Sequence, residues 1–274
     1  MESLKSLRLS PEMEKSLLNV FGMQAAKTTL ARMLQKTRRF NVEANDLAQR
    51  VQEYGYVVVD EFLPQRTFDV VKSEALSLLN DDELSRTVQE HDSMKKSVDI
   101  LLQPPEFLPG LLGYLQNEDL NHLVQSLERR DLDPLSDHRV IEDLAFLENE
   151  HSGKPCDLRA DTFFHSHEAW LFLEDVTEHN GALVYVPKSH RYNLCQMKYQ
   201  YLEGSKTHDG SRMISKKELR ESGLNQTVLS AKANSLVIIN SAGYHCQTIG
   251  EAGAHRRSIH CSYRTNPLSL DAFL

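Results

Sequence analysis

Two stretches of the chain carry side chains that could bind a metal ion together. The first contains Asp161, His165 and His167, and the second contains His245 a short way before Arg256. Two His and one carboxylate form one face of non-haem Fe(II) sites, whose opposite face stays open for O2 and a keto acid co-substrate. A nearby Arg can hold a carboxylate of that co-substrate through paired hydrogen bonds. These residue types therefore predict a non-haem iron site formed by two segments that are distant in the chain.

The composition is that of an ordinary globular protein. The 274 residues are 40% hydrophobic and 26% charged, and 31 Lys and Arg stand against 39 Asp and Glu for a net charge of -8. This acidic balance disfavours a nucleic-acid partner, which requires a basic surface. No apolar run approaches the length of about 18 residues that a membrane span needs, and the N-terminus lacks the apolar region of a secretory signal. The four Cys form no CxxC pair, which favours reduced thiols and a cytoplasmic location.

The first residues have the pattern of a helical extension. Apolar side chains recur at helical spacing over residues 10–22, 25–38 and 45–54, as expected for helices with one buried face. We therefore predict a helical N-terminal extension over residues 1–50 that packs on a domain formed by residues 51–274.

Strands are predicted mainly in the second half. Short apolar runs separated by turn residues lie at Tyr56–Asp60, Val140–Phe146, Trp170–Val176, Leu183–Pro187, Ser235–Asn240 and Arg256–Arg264. Asn180-Gly181 between two of these runs predicts a β-hairpin, and the polar residues 81–95 predict a loop. Many short strands after helices indicate an all-β core with helices (α+β), in the form of a β-sandwich or jelly roll.

Three segments resemble one known family in their order along the chain. Residues 161–191, DTFFHSHEAWLFLEDVTEHNGALVYVPKSHR, are similar to the core of the phytanoyl-CoA dioxygenase family, and residues 233–267, ANSLVIINSAGYHCQTIGEAGAHRRSIHCSYRTNP, to its C-terminal half. GYVVVDEFL at residues 55–63 resembles the usual N-terminal strand of the family. The resemblance covers roughly residues 50–268 and implies a double-stranded β-helix (jelly-roll) fold. It also implies Fe(II), 2-oxoglutarate as co-substrate, and hydroxylation or other oxidation of a small organic substrate while 2-oxoglutarate is decarboxylated to succinate.

The family pattern transfers to most of its site positions. By resemblance, Asp161 is the carboxylate ligand of iron and His245 is the distal His ligand. Arg256 matches the Arg that holds a 2-oxoglutarate carboxylate, and Arg257 is the alternative if the register slips by one residue. The resemblance assigns two more residues to the co-substrate pocket, Trp170 and Gln247.

One ligand of the family pattern is missing. The first His of the His-X-Asp pair is Arg159 in this chain, and a guanidinium has no lone pair that could bind iron. We expect Arg159 to form a charge-assisted ion pair with Asp161 and so to occupy the carboxylate that the metal needs. Glu168 also departs from the pattern, because close relatives tend to have Lys there.

Three interpretations of the missing ligand remain open. The site is degenerate, and the protein is a non-catalytic binding or partner subunit that forms a homodimer or a heterodimer with an active paralogue. Alternatively, His165 or His167 replaces the missing ligand, or these two form a three-His site with His245. Against these stand simpler roles: His165 and His167 as hydrogen-bonded strand residues, and Arg159 with Asp161 as a structural ion pair.

The substrate is not encoded in these motifs. Substrate contacts in the family come from variable loops, which here correspond to residues 81–110 and 192–225. We predict a small-molecule substrate and a mobile lid at the second of these loops, with no nucleic-acid or membrane partner.

Overall fold

The structure is a computed structural model that describes residues 23–37, 46–90, 93–136, 138–147, 157–191, 212–264 and 267–268. The helix predicted over residues 10–22 lies outside the described residues, as does most of the lid predicted over residues 192–225.

Helices occupy mainly the N-terminal half of the described chain. The α-helices are α1 (Met23–Thr37), α2 (Asp46–Tyr54), α3 (Gln65–Leu79), α4 (Pro109–Leu115), α5 (Glu118–Glu128) and α6 (Lys216–Glu221). The first two confirm the helices predicted over residues 25–38 and 45–54. Among the described residues, no helix is both long and apolar enough to cross a membrane.

Twelve strands in the described residues form two antiparallel sheets. The strands are β1 (Tyr56–Val59), β2 (Arg86–Glu90), β3 (Ser93–Asp99), β4 (Arg139–Phe146), β5 (Arg159–Ala160), β6 (His167–Phe172), β7 (Leu183–Tyr185), β8 (Arg212–Met213), β9 (Thr227–Leu229), β10 (Leu236–Asn240), β11 (His245–Gln247) and β12 (His255–Tyr263). The large sheet has the order β1-β10-β6-β12-β4-β3-β2, and the small sheet has the order β8-β5-β11-β7-β9. This is the jelly-roll arrangement with outer helices that the sequence predicts.

The large sheet separates two cores because side chains alternate between its faces. On one face, Ala169 and Leu171 of β6 pack with the helices in the largest hydrophobic cluster. On the other face, Trp170 and Phe172 pack against the small sheet, for example on Leu183 of β7. Consecutive residues of β6 therefore serve opposite sides of the sheet, and this alternation decides which side chains reach the functional site.

The loop predicted at residues 81–95 is wrong. Residues 86–90 and 93–99 form the paired strands β2 and β3 at the edge of the large sheet, where Thr87 pairs with Lys96. The side chains of β2 are mostly exposed, so the segment lacks the alternation of apolar and polar residues that marks a half-buried strand.

The hairpin predicted at Asn180-Gly181 is also wrong, although the turn is present. The Asn180 side chain accepts a hydrogen bond from the Thr177 backbone N–H at 2.6 Å, and Gly181 has a φ of 90°, which favours glycine. The flanking strands do not pair, because β6 belongs to the large sheet and β7 to the small one. The turn carries the chain from one sheet to the other.

Candidate functional site

A cavity of about 650 Å³ opens between the two sheets. It is called the inter-sheet cavity below, and it brings together residues from distant segments. Arg159 of β5 lies directly beside His245 of β11, because these strands pair in register. Asp161 follows β5, and its backbone N–H donates to the Ser241 carbonyl at 2.9 Å. Strand pairing therefore places Arg159, Asp161 and His245 at one end of the cavity.

Two guanidinium groups hold the Asp161 carboxylate. Arg159 Nε lies 3.2 Å from Oδ1, and Arg264 Nη2 lies 2.7 Å from Oδ2. His245 Nε2 lies 3.8 Å from the same Oδ2 atom. Burial alone would raise the pKa of Asp161, but His245, Arg264 and Arg159 outweigh burial and hold this pKa well below its usual range. Asp161 is therefore ionised, and each of its oxygens faces a cation.

His245 is oriented by the backbone next to it. Its ring lies with Nδ1 2.9 Å from the Gly243 carbonyl, so Nδ1–H donates and Nε2 faces Asp161. Burial lowers the pKa of His245, but the nearby Asp161 carboxylate outweighs burial and raises it. Nε2 is therefore the only ring nitrogen that this geometry directs toward the carboxylate.

Arg264 is a site residue that the motifs do not single out. Its guanidinium bridges Asp161 and Glu168, and its Nε lies 3.0 Å from Glu168 Oε1. The bridge joins Glu168 to Asp161. The signal in the sequence is the strand period, because Arg264 lies on the same face as His260, four residues earlier, as residues on a strand alternate in direction.

A second charged cluster lies deeper in the inter-sheet cavity. His260 Nδ1 lies 3.3 Å from Glu142, and its Nε2 lies 3.2 Å from Glu168. The ring stacks on Trp170 with centroids 4.5 Å apart and planes 6° from parallel. Lys95 Nζ lies 2.6 Å from Glu142. Buried charges are retained when they are paired in this way.

The protonation of His260 follows from its two carboxylate neighbours. Burial opposes the charge, but Glu142 and Glu168 outweigh burial and raise the pKa of His260 to about 9. Glu168 likewise has a pKa lowered to about 2, because His260 and Arg264 outweigh the effect of burial. His138, Glu142 and His260 are the only group of three potential metal ligands that lie close together in the described residues. A doubly protonated His260 has no lone pair for a metal.

Arg256 and Arg257, the two candidates for holding a 2-oxoglutarate carboxylate, point in different directions. Arg256 is buried in the inter-sheet cavity and donates through Nη1 to the Gly181 carbonyl at 2.7 Å. Arg257 pairs instead with Asp143, at 3.1 Å, and with Glu174. Trp170 and Gln247, the other predicted co-substrate residues, both line the same cavity as Arg256.

The structure does not bring His165 or His167 to Asp161. His167 points to the helix side of the large sheet, where its Nδ1 lies 2.7 Å from Glu128. His165 Nδ1 lies 2.9 Å from the Asn240 side-chain nitrogen. Both line a separate cavity on that side. The predicted replacement ligand and the three-His set with His245 are therefore not assembled.

The described residues do not fit an iron site of the two-His-one-carboxylate kind. The family pattern predicted from the sequence puts the first imidazole at Arg159, and a guanidinium does not coordinate a metal. The remaining carboxylate, Asp161, is already held by two cations. Of the described positions that the family pattern assigns to iron, His245 alone directs a ring nitrogen toward the site.

Comparison with solved structures finds proteins that share this fold. The epimerase SnoN, solved in complex with Fe3+, alpha ketoglutarate and nogalamycin RO, is 16% identical, with a TM-score of 0.61 over 83% of this chain and 87% of that chain. AviO1 from Streptomyces viridochromogenes Tue57 is 13% identical, with a TM-score of 0.55 over 84% of this chain and 98% of that chain. EctD from S. alaskensis, solved with 2-oxoglutarate and 5-hydroxyectoine, is 14% identical, with a TM-score of 0.54 over 86% of this chain and 82% of that chain. At these identities the likeness shows the shared jelly-roll fold.

No curated protein matches the sequence. The family model described as Phytanoyl-CoA dioxygenase (PhyH) matches residues 51–245. This match takes in β1, Asp161 and His245, and it ends before β12. Because it covers well over half of the 274 residues, the chain belongs to the phytanoyl-CoA dioxygenase family.

Proposed function

We propose that the chain binds 2-oxoglutarate or a closely related 2-oxo dicarboxylate in the inter-sheet cavity without iron, as a non-catalytic member of its family. The observation that carries the proposal is the Asp161 carboxylate held between Arg159 and Arg264. The role as a partner subunit of an active paralogue stays a prediction.

In this proposal the part of the family site that binds the metal is lost, and the part that binds the co-substrate is kept. The metal half has lost its first imidazole, and two guanidiniums neutralise its carboxylate. The co-substrate half keeps Arg256 inside the cavity together with Trp170 and Gln247. A buried Arg can hold a carboxylate through charge-assisted hydrogen bonds.

The second carboxylate of the ligand also has cations within the cavity. The side chains of Arg159 and Arg264 are 63% and 43% exposed, so they can turn from Asp161 toward an incoming anion. In this proposal they provide the positive charge that a metal provides in other members of the family.

Calorimetric titration of the purified chain with 2-oxoglutarate in excess EDTA tests the proposal. We expect binding in EDTA, and no tighter binding when the titration is repeated with Mn(II) in the absence of EDTA. Arg256→Gln should weaken binding by at least about tenfold, since a charge-assisted contact is lost. Arg257→Gln is the matched control and should leave the affinity unchanged, because Arg257 lies outside the cavity.

Because Arg256 is buried, its replacement needs a companion variant. Gln247→Ala alters a half-buried cavity residue and should also weaken binding while the thermal unfolding midpoint stays near that of the wild type. Binding of 2-oxoglutarate only in the presence of a metal would overturn the proposal, and so would equal affinities of the Arg256 and Arg257 variants.

The alternative is the iron-dependent oxidation implied by the family. The orientation of His245, with Nε2 directed at Asp161, favours it. Iron would have to displace both guanidiniums from Asp161 and take water or another group in place of the missing imidazole. Anaerobic addition of Fe(II) and 2-oxoglutarate decides between the two, because a visible charge-transfer band would support the oxygenase.

A further inference from the structure

A second cavity, of about 510 Å³, lies on the helix side of the large sheet. It is called the helix-side cavity below, and it is lined by α1, by the C-terminal end of α5 and by the ends of β6 and β10. The remainder of this sheet face packs against helices through an apolar core. The cavity instead contains a cluster of buried polar side chains that the inter-sheet cavity does not use.

A chain of hydrogen bonds joins four of these side chains. Glu128 Oε1 accepts from both the backbone N–H and Nδ1 of His167, at 3.1 and 2.7 Å. The Asn240 side-chain nitrogen lies 3.4 Å from His167 Nε2 and 2.9 Å from His165 Nδ1. The Asn240 oxygen accepts from the Ala242 backbone N–H, so the Asn240 amide donates to both rings. Each His ring is thereby fixed in one tautomer.

Glu128, at one end of this series of hydrogen bonds, has a carboxylate oxygen without a donor. Glu128 is only 3% exposed, and its Oε2 atom has no hydrogen-bond partner in the described residues. A buried carboxylate oxygen without a donor is costly, and native structures rarely leave one. The unpartnered Oε2 atom of Glu128 is therefore suited to a donor from a bound ligand.

The mouth of the helix-side cavity has the opposite charge. Lys36, Arg129 and Arg191 are exposed and line it, and Arg32 is buried in its wall. Arg32 fixes α1 to the sheet by donating to the carbonyls of Phe163 and His190. Such a concentration of Lys and Arg attracts anionic groups.

We propose that the helix-side cavity binds a small zwitterion, whose ammonium group reaches Glu128 and whose anionic group lies among Lys36, Arg129 and Arg191. Burial, with Arg32 and His190 nearby, holds the pKa of His165 well below its usual range. A neutral His165 keeps the hydrogen-bond chain intact without adding a positive charge that would repel the ammonium.

The ligand probe is phosphoethanolamine, compared with its two halves, inorganic phosphate and ethanolamine. Calorimetry on the full chain should show that phosphoethanolamine binds at least tenfold more tightly than either half. Glu128→Gln keeps the size of the side chain and should reduce the affinity for phosphoethanolamine to that for phosphate alone.

A variant of a surface residue provides a second test in case the substitution of the buried Glu128 impairs folding. Arg191→Gln should weaken phosphoethanolamine binding severalfold, whereas Arg220→Gln, an exposed Arg on α6, should leave it unchanged. Three outcomes would overturn the proposal: no binding of phosphoethanolamine, equal binding of the intact probe and its halves, or an affinity that neither Glu128→Gln nor Arg191→Gln lowers.

Discussion

The ability of Asp161 to hold a metal ion depends on the cations that surround it. In a metal site, a divalent ion would balance such a carboxylate, whereas here Arg159 and Arg264 balance it from two sides. The sequence predicts the first of these contacts, because Arg159 lies two residues from Asp161 on the same strand face. It does not predict the second, which depends on the course of β12 across the cavity.

The contact with Arg264 changes the expected outcome of restoring the missing ligand. Arg159→His alone should bind Co(II) weakly, because Arg264 still occupies one oxygen of Asp161. The double variant Arg159→His/Arg264→Gln should bind Co(II) at least tenfold more tightly than either single variant. The visible absorption of tetrahedral or five-coordinate Co(II) measures this binding, and equal affinities of the single and double variants would contradict the role of Arg264.

The paired state of His260 predicts a pH dependence of stability. Its pKa is about 9 in the folded chain and about 6.5 in an unfolded one. Folding therefore favours the charged ring, so the stabilisation is complete below about pH 6.5 and is lost as the pH rises through about 9. The difference in free energy of unfolding between the wild type and His260→Gln should decrease by up to about 3 kcal/mol across this pH range.

Urea unfolding at a series of pH values measures this difference. His122→Gln replaces an exposed His on α5 and should differ from the wild type by a constant amount. A pH-independent difference for His260→Gln would show that its ring is not held as an imidazolium between Glu142 and Glu168.

At the scale of elements, the site depends on the short loop that leads into β11. The Tyr185 hydroxyl donates to the Asn240 carbonyl at 2.9 Å, and the Ser189 hydroxyl accepts from the Tyr244 backbone N–H at 2.7 Å. These contacts fix residues 240–244, whose Gly243 carbonyl in turn orients His245. Strand β7 thus positions the ligand candidate on its neighbour β11.

Gly243→Ala should disturb this loop. An added Cβ would lie 2.6 Å from Tyr185 Cζ and 2.9 Å from Ser189 Oγ, which real side chains do not tolerate. We expect a loss of about 1–3 kcal/mol in the free energy of unfolding, as for other overpacked sites. Gly113→Ala is the control, because a Cβ there meets nothing within 4 Å and Ala favours a helix.

Thermal or urea unfolding measures both variants. An unchanged free energy of unfolding for Gly243→Ala would contradict the bracing of the loop by Tyr185. A destabilised Gly113→Ala would show that replacement of glycine is harmful in this chain regardless of the surrounding space.

The sequence is informative for elements with a clear period and less so elsewhere. The strands around Val140–Phe146 and Ser235–Asn240 are buried apolar runs, and both are confirmed by β4 and β10. The sequence does not predict β2 and β3, because the side chains of β2 are mostly exposed and β3 is a mostly polar run with only Ser93 and Val98 buried. The turn at Asn180-Gly181 was found, but local residues do not specify which sheet the next strand joins.

At the scale of the whole molecule, the large sheet has on each face a cavity that contains charged side chains. Successive residues of β6 supply both, since Glu168 points into the inter-sheet cavity and His167 into the helix-side cavity. The strand period shows that His167 and Glu168 lie on opposite faces of the sheet. It does not show which of these faces meets the second sheet. For this reason the sequence alone leaves His165 and His167 as candidate replacement ligands.

Retention of iron by the wild-type chain shows whether Arg159 and Arg264 keep a metal away from Asp161. The chain is equilibrated anaerobically with Fe(II) and 2-oxoglutarate, dialysed against metal-free buffer, and its iron content is measured by elemental analysis. With Arg159 and Arg264 balancing Asp161, we predict iron well below one equivalent and no charge-transfer band. One equivalent of retained iron that Asp161→Ala abolishes would contradict the claim.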